Sequence, residues 1–557
     1  MDRPTTTGEG LLELLKENGV ELVFGVPGNH TVALYRGFAD AGIRHVTCRH
    51  EQGAAFMADG YARATGRPGV CVLISGPGLL NAATAIAQAR ADSVPMLVIS
   101  GVAAIADLGM HRGTLHELPD QRATAASFCR TSSTLLDPDN LSELVTRAFA
   151  LFRTQRPGPV HIEIPLDLMD APMPEPWKGP GSARAERMPV LLGPPGPHPE
   201  TLARAAELLE GADRPMLVVG GGAQHASAAV TALAEALDSP VLNTVNGKGV
   251  LPIDHPLAVG GSPSQPALRN AMSEADVLLA IGTEMGETDY DLLMAAPLTE
   301  HPRLIRIDID PNQLLTPQVP ALALVCDAAA GARALADRLM SRALAPRADS
   351  SGDSPGSTRA TTLRAAVRTE IHYHPEVQAF FDAIVGAAPD AIIVGDSTRP
   401  TYYAAWQLER ARSRSYFHSA SGFGTLGYAL PAAFGAALAD LAPVLAIIGD
   451  GGIQFTLPEL STASELELPV PIVVWHNQGY REIENSMRAK NVPVDSTRIE
   501  APDFAAAAAA HGARYAHPQS LTDLGQAIGE ALAARAPTLI EVSEDTFLTT
   551  PSGGWYQ

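Results

Sequence analysis

The stretch IIGDGGIQFTLPELSTASELELPVPIVVWHNQGY, residues 447–480, decides the fold. One buried, β-branched run ends at a Gly-Asp-Gly turn around Asp450, a helical segment follows, and a second apolar run ends at Asn477. Strand, helix and strand in that order predict a parallel pair of strands. Because the carboxyl ends of parallel strands meet at one edge of a sheet, we expect Asp450 and Asn477 to lie side by side there, where ligands bind. Thr456 and Glu459 have capping-box spacing, which predicts a helix beginning near Leu457.

The side chains at this edge suit a cation and a phosphate. A carboxylate and an amide supply the hard oxygen ligands that Mg²⁺ prefers. Gly449, Gly451 and Gly452 leave room for backbone N–H groups and the helix N-terminus to face a diphosphate. The alternative is a tight strand-to-helix turn that carries a surface aspartate.

The same alternation of strand and helix patterns extends along the whole chain. Short apolar runs occur in three blocks, which predicts an α/β fold of three doubly wound parallel-sheet domains. Stretches rich in Pro, Gly and Ser separate the blocks and indicate linkers. We expect the following segments: a first domain at 1–175, a central domain at 190–342, a linker at 343–364, a third domain at 365–545 and a tail at 546–557.

Composition narrows the classes of function. The chain has 40 Lys and Arg against 61 Asp and Glu, a formal charge of −21, which argues against binding to nucleic acid or anionic membranes. No apolar run approaches the roughly 18 residues of a membrane span, and no signal sequence is evident, so we expect a cytoplasmic protein. The spacing of the cysteines fits neither a zinc site nor a disulfide framework. They are Cys48, Cys71, Cys129 and Cys326.

The Gly-Asp-Gly turn followed by Asn477 resembles the signature of the thiamine-diphosphate (ThDP)-dependent enzymes. The resemblance covers essentially the whole chain. It is strongest to the acetolactate synthase and 2-oxo acid decarboxylase branch, particularly to 5-guanidino-2-oxopentanoate decarboxylase-like proteins. It implies pyrimidine-binding (Pyr), central and diphosphate-binding (PP) domains, with Mg²⁺ held by Asp450, Asn477 and the carbonyl of Gly479. The Asn-Asn usual in the family is His476-Asn477 here.

The resemblance also assigns the cofactor's activating group. Glu51, in RHEQGAAFMADGYARATG, matches the glutamate that contacts the aminopyrimidine ring and so promotes loss of the thiazolium C2 proton. A helix N-terminal charge is the alternative role for this residue. In SGFGTLGYALPAAFGA, Leu426 matches the residue that folds the two rings together, and the Gly424 carbonyl faces the exocyclic amine. An ordinary core leucine is the alternative for Leu426.

Further candidates follow from the same resemblance, each with a structural alternative. Asn29, His30 and His116 fall beside the substrate, although a loop histidine is often structural. Asp396, Ser397 and Thr398 fall where the family contacts the diphosphate, although Ser and Thr also cap helices. Tyr480 and Glu482 lie on the segment that walls the substrate. Glu482 and Glu484 could pair with a cationic substrate tail such as guanidinium, or be exposed helix charges.

The central block departs from the acetolactate synthases. Where those enzymes carry an arginine that contacts FAD, this chain has the acidic GTEMGETDYD, residues 282–291. The GGGA run at 220–223 is a weak nucleotide signal. FAD is therefore doubtful, and we expect an empty or vestigial site.

The expected function is ThDP- and Mg²⁺-dependent decarboxylation of a small-molecule 2-oxo acid, with release of an aldehyde or transfer of the acyl unit to a carbonyl acceptor. An acetolactate synthase-like carboligase that uses pyruvate is the first alternative. An FAD-dependent oxidoreductase and a non-catalytic ThDP-binding paralogue are more remote. The resemblance implies a homodimer or homotetramer, in which Glu51 of one subunit meets the cofactor bound at Asp450 of another.

Overall fold

The computed structural model describes residues 5–173, 192–290, 300–341, 354–370 and 373–547. These residues form three parallel β-sheets of six, five and six strands, each with helices packed on it. The expected three doubly wound α/β domains are confirmed. Most of the predicted tail, and the central parts of both predicted linkers, lie outside the described residues.

The first sheet has the strand order β2-β1-β3-β4-β6-β5. The chain therefore adds β2 on one side of β1 and all later strands on the other side. Its strands are β1 (Leu22–Gly25), β2 (Arg44–Thr47), β3 (Gly69–Leu73), β4 (Met96–Val102), β5 (Thr131–Thr134) and β6 (Pro159–Pro165). Its helices are α1 (Thr7–Glu17), α2 (Phe38–Ala41), α3 (Glu51–Thr65), α4 (Pro77–Ala91), α5 (Gln121–Ala126), α6 (Leu141–Thr154) and α7 (Leu166–Met169).

The central sheet has the order β11-β10-β9-β7-β8. Its strands are β7 (Pro215–Val219), β8 (Val241–Asn243), β9 (Val277–Ile281), β10 (Leu304–Asp308) and β11 (Leu322–Val325). Its helices are α8 (Pro199–Glu210), α9 (Ser227–Leu237), α10 (Pro266–Glu274), α11 (Glu287–Tyr290) and α12 (Ala328–Ser341). A further helix, α13 (Pro355–Val367), packs against α10. Part of the segment expected to be a linker is therefore helical, because Ser354 caps α13 and its buried residues pack against the central domain.

The third sheet has the order β13-β12-β14-β15-β17-β16. Its strands are β12 (Ile392–Gly395), β13 (Tyr416–His418), β14 (Val444–Gly449), β15 (Pro471–His476), β16 (Arg514–Ala516) and β17 (Thr538–Ser543). Its helices are α14 (Pro375–Ala387), α15 (Arg399–Gln407), α16 (Ala429–Ala437), α17 (Glu459–Glu465), α18 (Arg481–Ala489), α19 (Phe504–Ala510), α20 (Leu521–Leu532) and α21 (Glu544–Phe547).

The predicted capping box before α17 is wrong. The helix begins at Glu459, two residues later than expected, with Pro458 as its N-cap. The Thr456 hydroxyl donates instead to the Gly427 carbonyl. The Glu459 carboxylate accepts hydrogen bonds from the backbone N–H groups of Arg49 and His50, at 3.0 and 2.9 Å. Both side chains thus serve long-range contacts, which local spacing cannot reveal.

The first and third domains pack through α3 and α16, whose backbones approach closely. A Cβ atom on Gly60 would lie 1.9 Å from the Ala432 carbonyl oxygen, and one on Gly435 would lie 1.9 Å from that of Met57. A polar contact completes the packing, since the Tyr428 hydroxyl just before α16 donates to buried Asp59 of α3 at 2.5 Å, and Asp59 in turn pairs with Arg63. The two domains therefore share one hydrophobic core.

Two expectations drawn from the sequence, on the cysteines and on membrane spans, can be compared with the described residues. All four cysteines are buried and form no disulfide, in agreement with a spacing that does not fit a disulfide framework. Burial raises the pKa of the Cys129 thiol to about 12, so this thiol is inert. Within the described ranges, no helix is long and apolar enough to cross a membrane.

The close approach of α3 and α16 predicts how substitution of a glycine there changes the free energy of unfolding. We expect Gly60→Ala to cost about 1–3 kcal/mol, because the added methyl group forces two backbones apart. Gly529→Ala on α20, where a Cβ would meet no atom within 4 Å, is the matched control and should stabilise by up to about 1 kcal/mol. Urea unfolding followed by circular dichroism measures both. Equal effects would show that α3 and α16 tolerate a wider separation.

Candidate active site

Asp450 and Asn477 lie together at the edge of the third sheet where β14 and β15 end. The strands pair in parallel, with Gly449 opposite Trp475, so both chains turn at the same level. The Asp450 carboxylate accepts hydrogen bonds from the backbone N–H groups of Gly451 at 2.9 Å and Gln478 at 2.7 Å. It also accepts one from Asn477 at 3.3 Å. The carboxylate therefore ties the two turns together.

Electrostatics at Asp450 favour a bound cation. The residue is only 1% exposed, and burial raises the pKa of its carboxyl. The N–H donors and His476, whose Nε2 lies 3.9 Å from the carboxylate, oppose that shift in pKa. A divalent cation would stabilise the ionised form much further.

The other predicted metal ligands lie next to Asp450. The Asn477 amide donates through Nδ2 to Glu544 at 3.0 Å, which leaves its Oδ1 for another partner. Gly479 has φ +145°, and a Cβ there would lie 2.3 Å from the Thr497 carbonyl oxygen, so only glycine fits. Tyr480 follows as the N-cap of α18.

Two buried glycines lie beside these ligands. A Cβ on Gly451 would meet the Tyr480 ring at 3.0 Å, and one on Gly452 would lie 3.1 Å from the Asp396 carboxylate. Both positions are buried and too crowded for a side chain, so only glycine allows the backbone to approach a ligand closely there. No group of three His, Cys, Asp or Glu residues suited to a metal occurs in the described part of the chain. Carboxylate, amide and carbonyl oxygens of this kind fit a hard cation such as Mg²⁺.

The residues that follow β12 lie close to the same Gly-Asp-Gly turn, and each makes different contacts. Asp396 is fully buried, and its carboxylate accepts from the backbone N–H groups of Ser397, Gly427 and Ala429. Burial raises its pKa to about 6. This carboxylate anchors the start of α16 rather than facing outward. Thr398 lies against Gly449, where a Cβ would be 2.9 Å from its hydroxyl.

The loop before α16 presents the predicted pyrimidine contacts. Ser397 donates to the Thr425 carbonyl at 3.2 Å, which holds this loop against β12. Gly424 has φ +71° and is exposed, with no atom within 4 Å of a built Cβ. Leu426 is half-buried, and the neighbouring Phe423 is 54% exposed. Leu426 is thus less buried than an ordinary core leucine, and its role of folding the two cofactor rings together stays a prediction.

Glu51 is the first residue of α3 and lies in the first domain. It is 8% exposed, and its carboxylate accepts a hydrogen bond from the Asn81 amide at 2.9 Å. A Cβ on Gly78 would lie 3.5 Å from the same carboxylate. The side chain is thus held by α4 and does not act simply as an exposed helix charge.

The two predicted histidines contact each other near the ends of β1 and β3. Their ring centroids are 4.8 Å apart, and His30 Nδ1 is hydrogen-bonded to the Ser75 hydroxyl. Burial and then the charge of His116 lower the pKa of His30, which therefore stays neutral at physiological pH. His116 has φ +63°, and its Nδ1 is buried with no hydrogen-bond partner. Asn29 precedes His30 and is exposed.

The two acids on α18 have different surroundings. Glu484 is buried and pairs with Arg481 and Arg488, at 3.2 and 2.6 Å. Its hydrogen bond to Arg488 lowers its pKa. Glu484 thus already has two cationic partners, and the pairing of either acid with a substrate guanidinium stays a prediction. Glu482 lies 3.6 Å from Arg399 Nε.

A cavity of about 550 Å³ lies where the three domains meet. Gly221, Gly222 and Glu284 of the central domain line it. Arg156 of the first domain and Arg414 of the third also reach it, although residues 282–290 supply no arginine. Arg156 pairs with Glu284 at 2.5 Å. FAD remains doubtful, since the acidic segment already occupies one of these arginines.

Sequence reasoning missed residues that support those it predicted. Asn81 holds Glu51, Ser75 holds His30, and Glu544 holds Asn477. Ser75 begins the SGPG segment that follows β3, and Asn81 lies in the first half of α4; this segment offered a signal because strand ends at a sheet edge carry ligand contacts. Glu544 offered none, since it lies more than 60 residues beyond its partner.

Comparison with known proteins agrees with this architecture. Models of the N-terminal, central and C-terminal domains of thiamine pyrophosphate enzymes match residues 5–124, 202–335 and 396–542. A protein of Pseudomonas aeruginosa named "Probable 2-ketoarginine decarboxylase" is 43% identical over 544 residues, covering 96% of this chain and 94% of that protein. An acetolactate synthase large subunit of Escherichia coli, isozyme 2, is 30% identical, covering 96% and 95%.

A solved structure shows the same fold over the whole chain. The ThDP-dependent 4-hydroxybenzoylformate decarboxylase of Rhodococcus jostii superposes with a TM-score of 0.79 at 25% identity, covering 97% of this chain and 99% of that one. Three matched domains, the joined Asp450 and Asn477, and relatives of this length agree. The chain therefore belongs to the thiamine pyrophosphate enzyme family, in the branch of 2-oxo acid decarboxylases and acetolactate synthases.

Proposed function

We propose that this protein is a Mg²⁺- and ThDP-dependent decarboxylase of 2-ketoarginine, that is, 5-guanidino-2-oxopentanoate, or of a closely similar cationic 2-oxo acid. The observation that carries the substrate is the 43% identity over almost the full length of both chains to the Pseudomonas aeruginosa protein of that name. The acetolactate synthases share only about 30% identity with this chain.

The residues divide the work of the reaction. ThDP bound here would supply the nucleophilic carbon and the electron sink that decarboxylation of a 2-oxo acid needs. Asp450, the Asn477 amide oxygen and the Gly479 carbonyl hold Mg²⁺, and Gly451 and Gly452 leave room for the diphosphate. Glu51 hydrogen-bonds the aminopyrimidine ring. Neutral His30, held by Ser75, accepts or donates protons beside the substrate carbonyl, together with His116.

The distribution of these groups supports a site shared by two subunits. Asn81 holds Glu51 and Ser75 holds His30 within the first domain, whereas the metal ligands are held within the third. Gly424 and Phe423 are exposed at the surface of the third domain. A partner's first domain would cover them. A cytoplasmic homodimer or homotetramer is part of this proposal.

The substrate is tested with purified protein, ThDP, Mg²⁺ and a panel of 2-oxo acids. We expect kcat/KM for 5-guanidino-2-oxopentanoate to exceed that for pyruvate by about a hundredfold or more. The reason is that charge-assisted hydrogen bonds to the guanidinium tail contribute several kcal/mol of binding free energy. CO₂ release measures the rate, and mass spectrometry identifies the product. An aldehyde alone is expected. A coupled product from pyruvate would establish a carboligase, and no CO₂ from any donor would contradict the proposal.

The assigned roles predict two distinct failures. Glu51→Gln should bind ThDP almost normally yet turn over at least about a hundredfold more slowly, because activation of the cofactor is lost. Asp450→Ala should fail to retain ThDP, because the cation loses its charged ligand. Equilibrium dialysis of ThDP and steady-state rates separate the two outcomes.

Mixing the same two variants tests the shared site. A hybrid of one Glu51→Gln subunit and one Asp450→Ala subunit would carry both lesions in one site and neither in the other. We expect activity to return after co-expression, towards half of the wild-type value per hybrid dimer. Hybrids that remain as inactive as their parents would place Glu51 and Asp450 of one chain in the same site.

The histidine pair predicts a pH effect with a definite sign. His30 has a lowered pKa, so activity that needs its neutral form persists at low pH and falls only as the pH drops through that pKa. His116→Asn removes one cause of the lowering, and the acidic limb of kcat/KM should move to higher pH. His511, which also bonds a serine hydroxyl, at 2.7 Å from Ser461, provides His511→Asn as a control that leaves the limb in place. An unmoved limb in His116→Asn would separate His30 from catalysis.

A further inference from the structure

Glu544, at the start of α21, collects three donors behind the predicted metal site. The Asn477 amide donates to its Oε2 at 3.0 Å, and the Trp475 indole N–H donates to the same oxygen at 2.7 Å. Arg399 pairs with its Oε1 at 2.5 Å. Glu544 is 9% exposed, and Trp475 is only 1% exposed. This carboxylate is therefore held in one position from three sides.

The chemistry of the pair determines how the Asn477 side chain is turned. An amide has a donor end and an acceptor end of nearly the same shape, and it can rotate to exchange them. A carboxylate has only acceptors, so it can bind the NH₂ end and not the carbonyl end. With Nδ2 committed to Glu544, Oδ1 must point the other way.

The surroundings of Asn477 support this orientation. Its backbone N–H donates to Asp450 Oδ2 at 3.3 Å, so the residue lies against the carboxylate that would share the cation. Arg481 donates to its backbone carbonyl at 3.2 Å, which removes that oxygen as a rival metal ligand. The side-chain Oδ1 is thus the oxygen that Asn477 has to offer.

We propose that Glu544 is a positioning residue for the cation that the ThDP site requires: it orients the Asn477 amide so that Oδ1 faces the metal. This inference rests on the proposed metal role of Asn477 but not on the identity of the substrate. Trp475 and Arg399 fix Glu544 in turn. Because β17 runs directly into α21, the third domain builds the support for its metal ligand from a segment far along the chain.

The test measures metal binding rather than turnover. Wild type and variants are stripped of metal, given saturating ThDP, and titrated with MgCl₂ while ThDP retention and tryptophan fluorescence are followed. We expect Glu544→Gln to weaken the apparent Mg²⁺ affinity about 10- to 100-fold, the range for groups that orient metal ligands. Glutamine can donate as well as accept, so Asn477 is free to turn its carbonyl inward.

A matched control and a rescue separate orientation from general damage. Glu541→Gln removes a carboxylate on β17 that bonds His476 at 2.6 Å and Tyr515 at 2.7 Å instead, and it should change the Mg²⁺ affinity less than about threefold. Asn477→Asp alone sets two carboxylates against each other and should bind Mg²⁺ poorly. Asn477→Asp combined with Glu544→Gln restores one donor to one acceptor and should bind about tenfold more tightly than Asn477→Asp alone.

Three results would overturn the proposal: wild-type Mg²⁺ affinity in Glu544→Gln, an equal loss in Glu541→Gln, or no gain in the double variant. Thermal unfolding of the metal-free proteins guards against misfolding. If Glu544→Gln does not fold, Trp475→Phe replaces both variants that carry Glu544→Gln. It removes one donor to Glu544 and should weaken Mg²⁺ binding by a smaller factor. Failure on every 2-oxo acid, with Mg²⁺ binding as expected, would count against the substrate and not against Glu544.

Discussion

The site depends on the parallel register between β14 and β15. That register ends both strands at one level, so the Asp450 carboxylate can accept hydrogen bonds from the turn after each of them. An antiparallel pairing would send Asn477 to the opposite end of the sheet. The two strands are parallel because α17 connects them by a crossover on one face of the sheet. Glu459, the first residue of α17, binds the backbone of the first domain just before Glu51.

An acidic protein that binds an anionic cofactor must do so locally. With a formal charge of −21, the overall field repels a diphosphate, so attraction has to come from a cation, backbone N–H groups and helix N-termini within a few ångströms. Gly451 and Gly452, which leave no side chains beside Asp450, mark the place where we expect these elements to meet. Burial raises the pKa of Asp450, and a bound cation is the physical reason to keep a carboxylate there. Metal and diphosphate binding are thus expected to depend on each other.

The three domains also depend on one another for their positions. Glycines on α3 and α16 allow backbone contact between the first and third domains, and the hydrogen bond from Tyr428 to Asp59 fixes that contact. Glu459 joins the metal-binding turn of a chain to the start of the helix that carries its Glu51. In a dimer whose sites are shared between subunits, this contact would join two different active sites. Both sites would then rest on a single interdomain packing arrangement.

The sequence by itself determined the three-domain α/β fold and the pairing of Asp450 with Asn477, because buried parallel strands are continuous apolar runs and their ends meet at one edge. It did not indicate the short strands β5, β11, β13 and β16, which lie at sheet edges where only one neighbour demands an apolar pattern, and it also missed β17, which lies between β15 and β16. Tertiary structure alone decided that Glu459 serves the first domain and that Glu484 is neutralised by two arginines. It alone brought Glu544 to Asn477. Such contacts join residues distant in sequence, or depend on side-chain rotamers, and neither leaves a periodic trace in the chain.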